Sequence, residues 1–142
     1  MNDLGETGLN LLLFSVGDVH FGIDSEQAAG INSYQGEEAG DLFWFHNEMG
    51  FGDATVTYLS PTVVTIRCPD GQPYRVIIDL MEDIREITAA AILHFPPLLE
   101  PFALRKGMWG VLVEEGRMVL LVDFQRILRE KRAEAVRHGG YE

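Results

Sequence analysis

Cysteine is nearly absent: Cys68 is the only one in 142 residues. A single thiol excludes an intramolecular disulfide framework and a cysteine-rich zinc site. Long hydrophobic runs are missing as well. The longest largely apolar stretches, residues 9–16 and 118–122, fall far short of the roughly 18 residues of a membrane span, so direct membrane insertion is not expected. Positive charge is missing from the whole first half, where ten carboxylates precede the first basic residue, Arg67. Lys plus Arg total 11 against 22 for Asp plus Glu, a formal net charge of -11. A phosphate-binding surface needs local positive charge, which argues against nucleic acid as a partner. Residues 1–6 lack the basic flank of a signal peptide, which points to the cytoplasm.

What is present is globular: 46% hydrophobic and 23% charged residues, in a length that suits one domain with a genuine core. The second half holds all 11 basic residues and 12 acidic ones, so it is nearly neutral. Such asymmetry has two readings. One is a solvated acidic face that keeps the chain soluble. The other is an acidic docking face for a basic partner, or for the chain's own C-terminal segment, where Arg126, Arg129, Lys131, Arg132 and Arg137 gather.

A hairpin unit occurs three times. Residues 11–16 meet 19–23 across Gly17-Asp18, residues 62–67 meet 74–78 across a turn containing Pro69-Asp70-Gly71, and residues 108–113 meet 117–122 across Glu114-Glu115-Gly116. Short β-branched or aromatic runs separated by turn formers are the hairpin signature, and the pattern predicts mainly antiparallel β structure. Each second strand ends in an apolar residue followed by aspartate: Asp24, Asp79 and Asp123. Aspartate before a helix accepts hydrogen bonds from its free N–H groups, and Gln27 and Glu82 lie three residues beyond Asp24 and Asp79, as in a capping box. The spacing of Leu80, Ile84 and Ile87, and of Phe124, Ile127 and Leu128, suits short amphipathic helices after two of these caps. Asp41 opens a fourth such segment, residues 42–49, with Leu42, Phe45 and Met49 on its core face and Gly50 as the stop.

Nothing in the chain asks for catalysis. The four histidines, His20, His46, His94 and His138, form no close pair in metal-ligand spacing. Cys68 before Pro69 reads as a structural thiol, and no Walker loop, G-x-S-x-G or G-x-G-x-x-G occurs. The sequence therefore predicts a non-enzyme, with no catalytic residues, no cofactor and no metal. A small enzyme would require Asp24, Asp41 and Asp79 to converge in one pocket.

The order of these elements resembles the CheW-like domain, the adaptor module of bacterial chemotaxis and related chemosensory systems. The stretch Leu11-Leu12-Leu13-Phe14-Ser15-Val16-Gly17-Asp18-Val19-His20-Phe21-Gly22-Ile23-Asp24 is similar to the family's opening hairpin. Residues 74–87 are similar to its central strand and the helix that follows. Ile92-Leu93-His94-Phe95-Pro96-Pro97 matches its Ile and Pro region, and residues 109–128 match its closing hairpin and helix. The resemblance implies a mainly β fold of two small SH3-like antiparallel barrel subdomains, interleaved in one domain over residues 9–130, with tails at 1–8 and 131–142. Short capped helices and a C-terminal helix from about Phe124 complete it.

It also implies function: a non-catalytic scaffold in signal transduction whose partners are a CheA-type histidine kinase and/or a chemoreceptor. One departure is visible. Between Ile31 and Gly40 the family's Asn-Leu-Arg-Gly-type strand is missing, which makes the first subdomain a reduced one and opens the alternative of a regulatory or decoy protein without kinase coupling. A shortened barrel leaves strand edges to be covered or paired, and self-association is one outcome. Residues 54–59, which alternate like a strand, are the expected cover. Phe43, Trp44 and Phe51 are the candidate protein-docking residues, with burial in the core as their other reading.

Overall fold

The computed structural model describes residues 8–51 and 56–139. Its strands are β1 (Gly8–Val16), β2 (Val19–Asp24), β3 (Ala28–Ser33), β4 (Leu42–Trp44), β5 (Thr62–Ile66), β6 (Arg75–Ile78), β7 (Met81–Thr88), β8 (Met108–Glu114) and β9 (Arg117–Val122). The helices are α1 (Phe45–Glu48), α2 (Glu100–Arg105) and α3 (Phe124–Gly139). The strands form a five-stranded sheet in the order β7-β1-β2-β9-β8 and a four-stranded sheet in the order β3-β5-β6-β4. The architecture is mainly β with two sheets.

Local chemistry sets the three hairpins. Gly17 and Asp18 take φ of 58° and 67°, and Glu115 and Gly116 take 52° and 78°. Two successive residues in the left-handed region give the turn whose twist matches paired strands. The β1–β2, β5–β6 and β8–β9 pairs are antiparallel, as expected of hairpins.

β1 explains its own unbroken apolar run. Leu12, Phe14 and Val16 enter the core between the sheets, whereas Leu11 and Leu13 enter a second core with Ile87, Ile92, Leu112, Val119 and Leu121. Alternate residues point to opposite faces, and a strand buried on both has no polar side to show. The main core joins the two sheets and α3. Phe45 stands at its centre, with ring centroids 5.2 Å from Phe14, 4.7 Å from Phe21 and 5.9 Å from Phe124, all close to edge-on. Gly107 (φ 80°) lets α3 lie close, because a Cβ there would sit 2.4 Å from the Ile127 side chain.

Several expectations are corrected. Two ladders, β2 with β9 and β4 with β6, are parallel. Neither sheet closes into a barrel among the described residues. The segment after Asp79 is a strand: β7 pairs with β1 over Gly8–Asn10 and beyond, because the edge of β1 needs a hydrogen-bonding partner and a short 3–4 spacing cannot outweigh it. Leu80 (φ 40°) makes the sharp turn into it. Residues 42–49 divide into β4 and the single helical turn α1, so Asp41 precedes a strand, and Trp44 occupies the helix N-cap without a side-chain hydrogen bond. β3 includes Ile31–Ser33, so the start of the segment in which the family's strand is missing does pair, with β5. Of the expected cover strand, Ala54 and Thr55 lie outside the described residues, and residues 56–59 form no strand. α3 runs on to Gly139, past residue 130.

Candidate protein-docking surface

The aspartates do different work from one another. Asp24 accepts the Glu26 N–H at 3.0 Å and caps a short 3₁₀ turn, Ser25–Gln27. Asp123 accepts the Arg126 N–H at 3.1 Å at the start of α3 and a further bond from Gln27 Nε2 at 3.2 Å. Asp79, buried, caps no helix. Its carboxylate accepts the backbone N–H groups of Leu59 (2.8 Å) and Ser60 (2.5 Å) and so ties residues 56–61 to the four-stranded sheet. Asp41 is no cap either: it takes the Arg75 guanidinium in a bidentate pair at 2.8 and 3.1 Å. That pair holds the Asp41 carboxyl below its usual range. Each carboxylate has its own partners, and the described residues include no group of three metal-ligating side chains.

The charge asymmetry of the sequence is partly resolved inside the molecule. Lys131 of α3 places Nζ 3.0 Å from Glu48 Oε2 and 3.4 Å from the centroid of the Phe43 ring. The Glu48 side chain is only 7% exposed and also accepts the Tyr74 hydroxyl at 2.5 Å. Burial and the adjoining carboxylate push the Tyr74 phenol well above its ordinary range. Arg132 pairs with Asp70, and Arg75 with Asp41. The C-terminal helix is therefore not a solvated tail in its Lys131–Arg132 portion.

Phe43, Trp44 and Phe51 do not form one patch. Neighbours in a strand face opposite ways. Phe43 pairs with Val76, lies against Tyr74 at 5.7 Å, and packs on the core. Phe51 is exposed beside Phe21 and Phe45, each 6.4 Å away. Trp44 stands on the outer face of the four-stranded sheet, in the same row as Val63 and Ile77.

There it is the centre of an aromatic ladder: Tyr34 meets the indole edge-on at 5.3 Å, and Tyr58 does so at 4.8 Å. Tyr58 Oη accepts the His46 N–H at 3.1 Å and lies 2.9 Å from His46 Nδ1. Burial pushes the Tyr58 phenol up to about 12. A cavity of about 470 Å³ has Trp44 in its wall together with His46, Asn47, Val56, Tyr58 and Pro61. A second, of about 310 Å³, also has Trp44 in its wall and is lined further by Tyr34, Glu37, Glu38, Ala39, Leu42 and Ile77.

A second apolar surface was not read from the sequence. Leu93, Leu98, Leu99 and Phe102 are 55%, 81%, 52% and 60% exposed along one segment beside β8, where Leu93 bridges to Val111. The Ile and Pro composition there was visible, but only the fold shows that these side chains miss the core.

The fold thus defines the class: a mainly β module of two sheets on a shared core, with exposed aromatic and apolar surfaces. A scan against models of protein families gives no match, and a search among curated proteins gives none either. Among solved structures the chain is similar to the scaffolding protein TtCheW from Thermoanaerobacter tengcongensis, with a TM-score of 0.63 over 85% of this chain and 88% of that one. The identity is 11%, so the likeness is one of fold. It supports the CheW-like two-subdomain architecture expected from the order of elements.

Proposed function

We propose that this protein is a non-catalytic adaptor of the CheW-like type in a chemosensory signalling pathway, bridging a CheA-type histidine kinase and/or a chemoreceptor. The observation that carries the reading is the shared fold over 85% of the chain with a protein described as a scaffold. The surfaces fit it: an adaptor needs separate places to dock, and the Trp44 face and the 93–102 segment lie on different sheets. The enzymatic alternative is weakened because Asp24, Asp41 and Asp79 each serve a different local structure.

Capture experiments test the reading. The immobilised full-length protein should retain the organism's CheA-type kinases or the cytoplasmic signalling regions of its chemoreceptors, and an adaptor in the full sense should hold both at once. Retention of receptors alone would favour the regulatory or decoy alternative. Retention of neither class would overturn the adaptor reading.

A further inference from the structure

The outer face of the four-stranded sheet combines three features that point to one kind of occupant. The first is the aromatic ladder of Tyr34, Trp44 and Tyr58, with Trp44 in the wall of both cavities. The second is acidity: Glu37 and Glu38 line the smaller cavity, and no Lys or Arg lines either one among the described residues. The third is the position of β4 as the last strand of its sheet, with no strand paired along its outer edge among the described residues.

Aromatic rings attract a cation through their negative faces, and carboxylates beside them favour a cation that also donates hydrogen bonds. The fold already holds one guanidinium at the rim of this region. Arg75 is bound to Asp41 and lies 3.8 Å from Glu37, whereas Glu38 has no ion pair among the described residues. Glu37 is held ionised by its own backbone and that of Gln35, with Arg75 assisting.

We propose that this groove docks an extended basic segment of a partner protein, its Lys or Arg side chains lying against Trp44 and Tyr34 and pairing with Glu37 and Glu38. The proposal takes from the adaptor reading only that the occupant is a protein. A second copy of the chain is a poor occupant, because it would bring another net charge of -11 to an acidic surface.

The test uses the full-length protein and a rhodamine-labelled peptide of four Gly-Arg repeats, followed by fluorescence anisotropy at moderate salt, with a Gly-Glu peptide as control. The arginine peptide should bind saturably and the glutamate peptide should not. Glu37→Gln with Glu38→Gln should weaken binding at least about fivefold, and Trp44→Ala at least about tenfold, which correspond to the roughly 1–1.4 kcal/mol of a cation–aromatic or charged contact. The charge-reduced edge variant Glu82→Gln, Asp83→Asn, Glu86→Gln on β7 controls for general attraction to an acidic protein and should change binding less than twofold. Absence of saturable binding, or equal losses in the β7 and groove variants, would overturn the proposal. The Glu37 and Glu38 substitutions are at exposed side chains, so the test survives a Trp44→Ala protein that fails to fold. Kinase capture without peptide binding would sink the groove and leave the adaptor reading; the reverse result would do the opposite.

Discussion

On its inner face the four-stranded sheet turns Phe43, Val64 and Val76 into the core shared with the five-stranded sheet, whereas its outer face carries Trp44, Val63 and Ile77 beneath residues 34–41 and 56–61. The inner face is sealed by rings meeting edge to face and by α3. The outer cover is held by a few polar ties: Asp79 to the amides of Leu59 and Ser60, Tyr58 to His46, Tyr34 to the Glu37 carbonyl. Cover of that kind opens more readily than packed core, because fewer apolar contacts break when it moves. The same strands thus supply cohesion on one side and an adaptable surface on the other.

Four substitutions sharpen or break this contrast. Phe45→Ala removes a ring touching Phe14, Phe21 and Phe124 at the centre of the core, and should cost about 3–5 kcal/mol in denaturant unfolding. A cost near that of a surface change would mean that the two faces are not held differently. Lys131→Met strips a partner from the nearly buried Glu48 carboxylate and should cost about 1.5–3 kcal/mol. Truncation after Glu130 should cost at least as much, whereas truncation after Ala135 should leave the melting temperature nearly unchanged.

Trp44→Ala should cost only about 1–2 kcal/mol, because the side chain is half-buried and loses two edge contacts, with Tyr34 and Tyr58. A cost of 3 kcal/mol or more by thermal or urea unfolding would place Trp44 with the core and contradict its proposed role as a surface anchor.

The smallest effect concerns pH. Arg75 depresses the folded value of Asp41, so the pair adds stability that is complete above the unfolded aspartate value of about 3.9 and is lost as pH falls through the lower folded value. Arg75→Met removes that increment. The gap in melting temperature between it and the parent protein should be constant above about pH 5 and narrow below about pH 4. A gap that stays constant into acid would show that the pair contributes nothing.

Much of the β structure was legible because hairpins are local. Gly17-Asp18 and Glu115-Gly116 specify their turns within two residues, and the runs on either side pair in the register those turns impose. The start of α3 was legible for a similar reason: Asp123 caps it, and Phe124, Ile127 and Leu128 fall on one face and are buried. The segment after Asp79 was misread because Leu80, Ile84 and Ile87 satisfy a helical spacing over too short a stretch to decide. In the strand, Ile87 is buried and Ile84 is 54% exposed.

The candidate docking residues were legible only as aromatics. Nothing local separates Phe43 from Trp44, since the side a strand residue faces depends on which neighbours pair with it. Tyr58, Tyr34 and the exposed Leu98 and Phe102 carry no signal of their own in the sequence, and they acquire a role from what the fold places next to them.

What the sequence determined by itself is what short-range chemistry controls: three turns, the capped start of one helix, an acidic first half and a core rich in β-branched and aromatic residues. Tertiary structure alone decided the rest. It made residues 81–88 a strand by offering the free edge of β1, set β4 parallel to β6, and sent the charges of α3 back to Glu48 and Asp70. Those outcomes depend on partners far away in the chain, and a free backbone edge or a buried carboxylate has no preference until the fold brings its partner near.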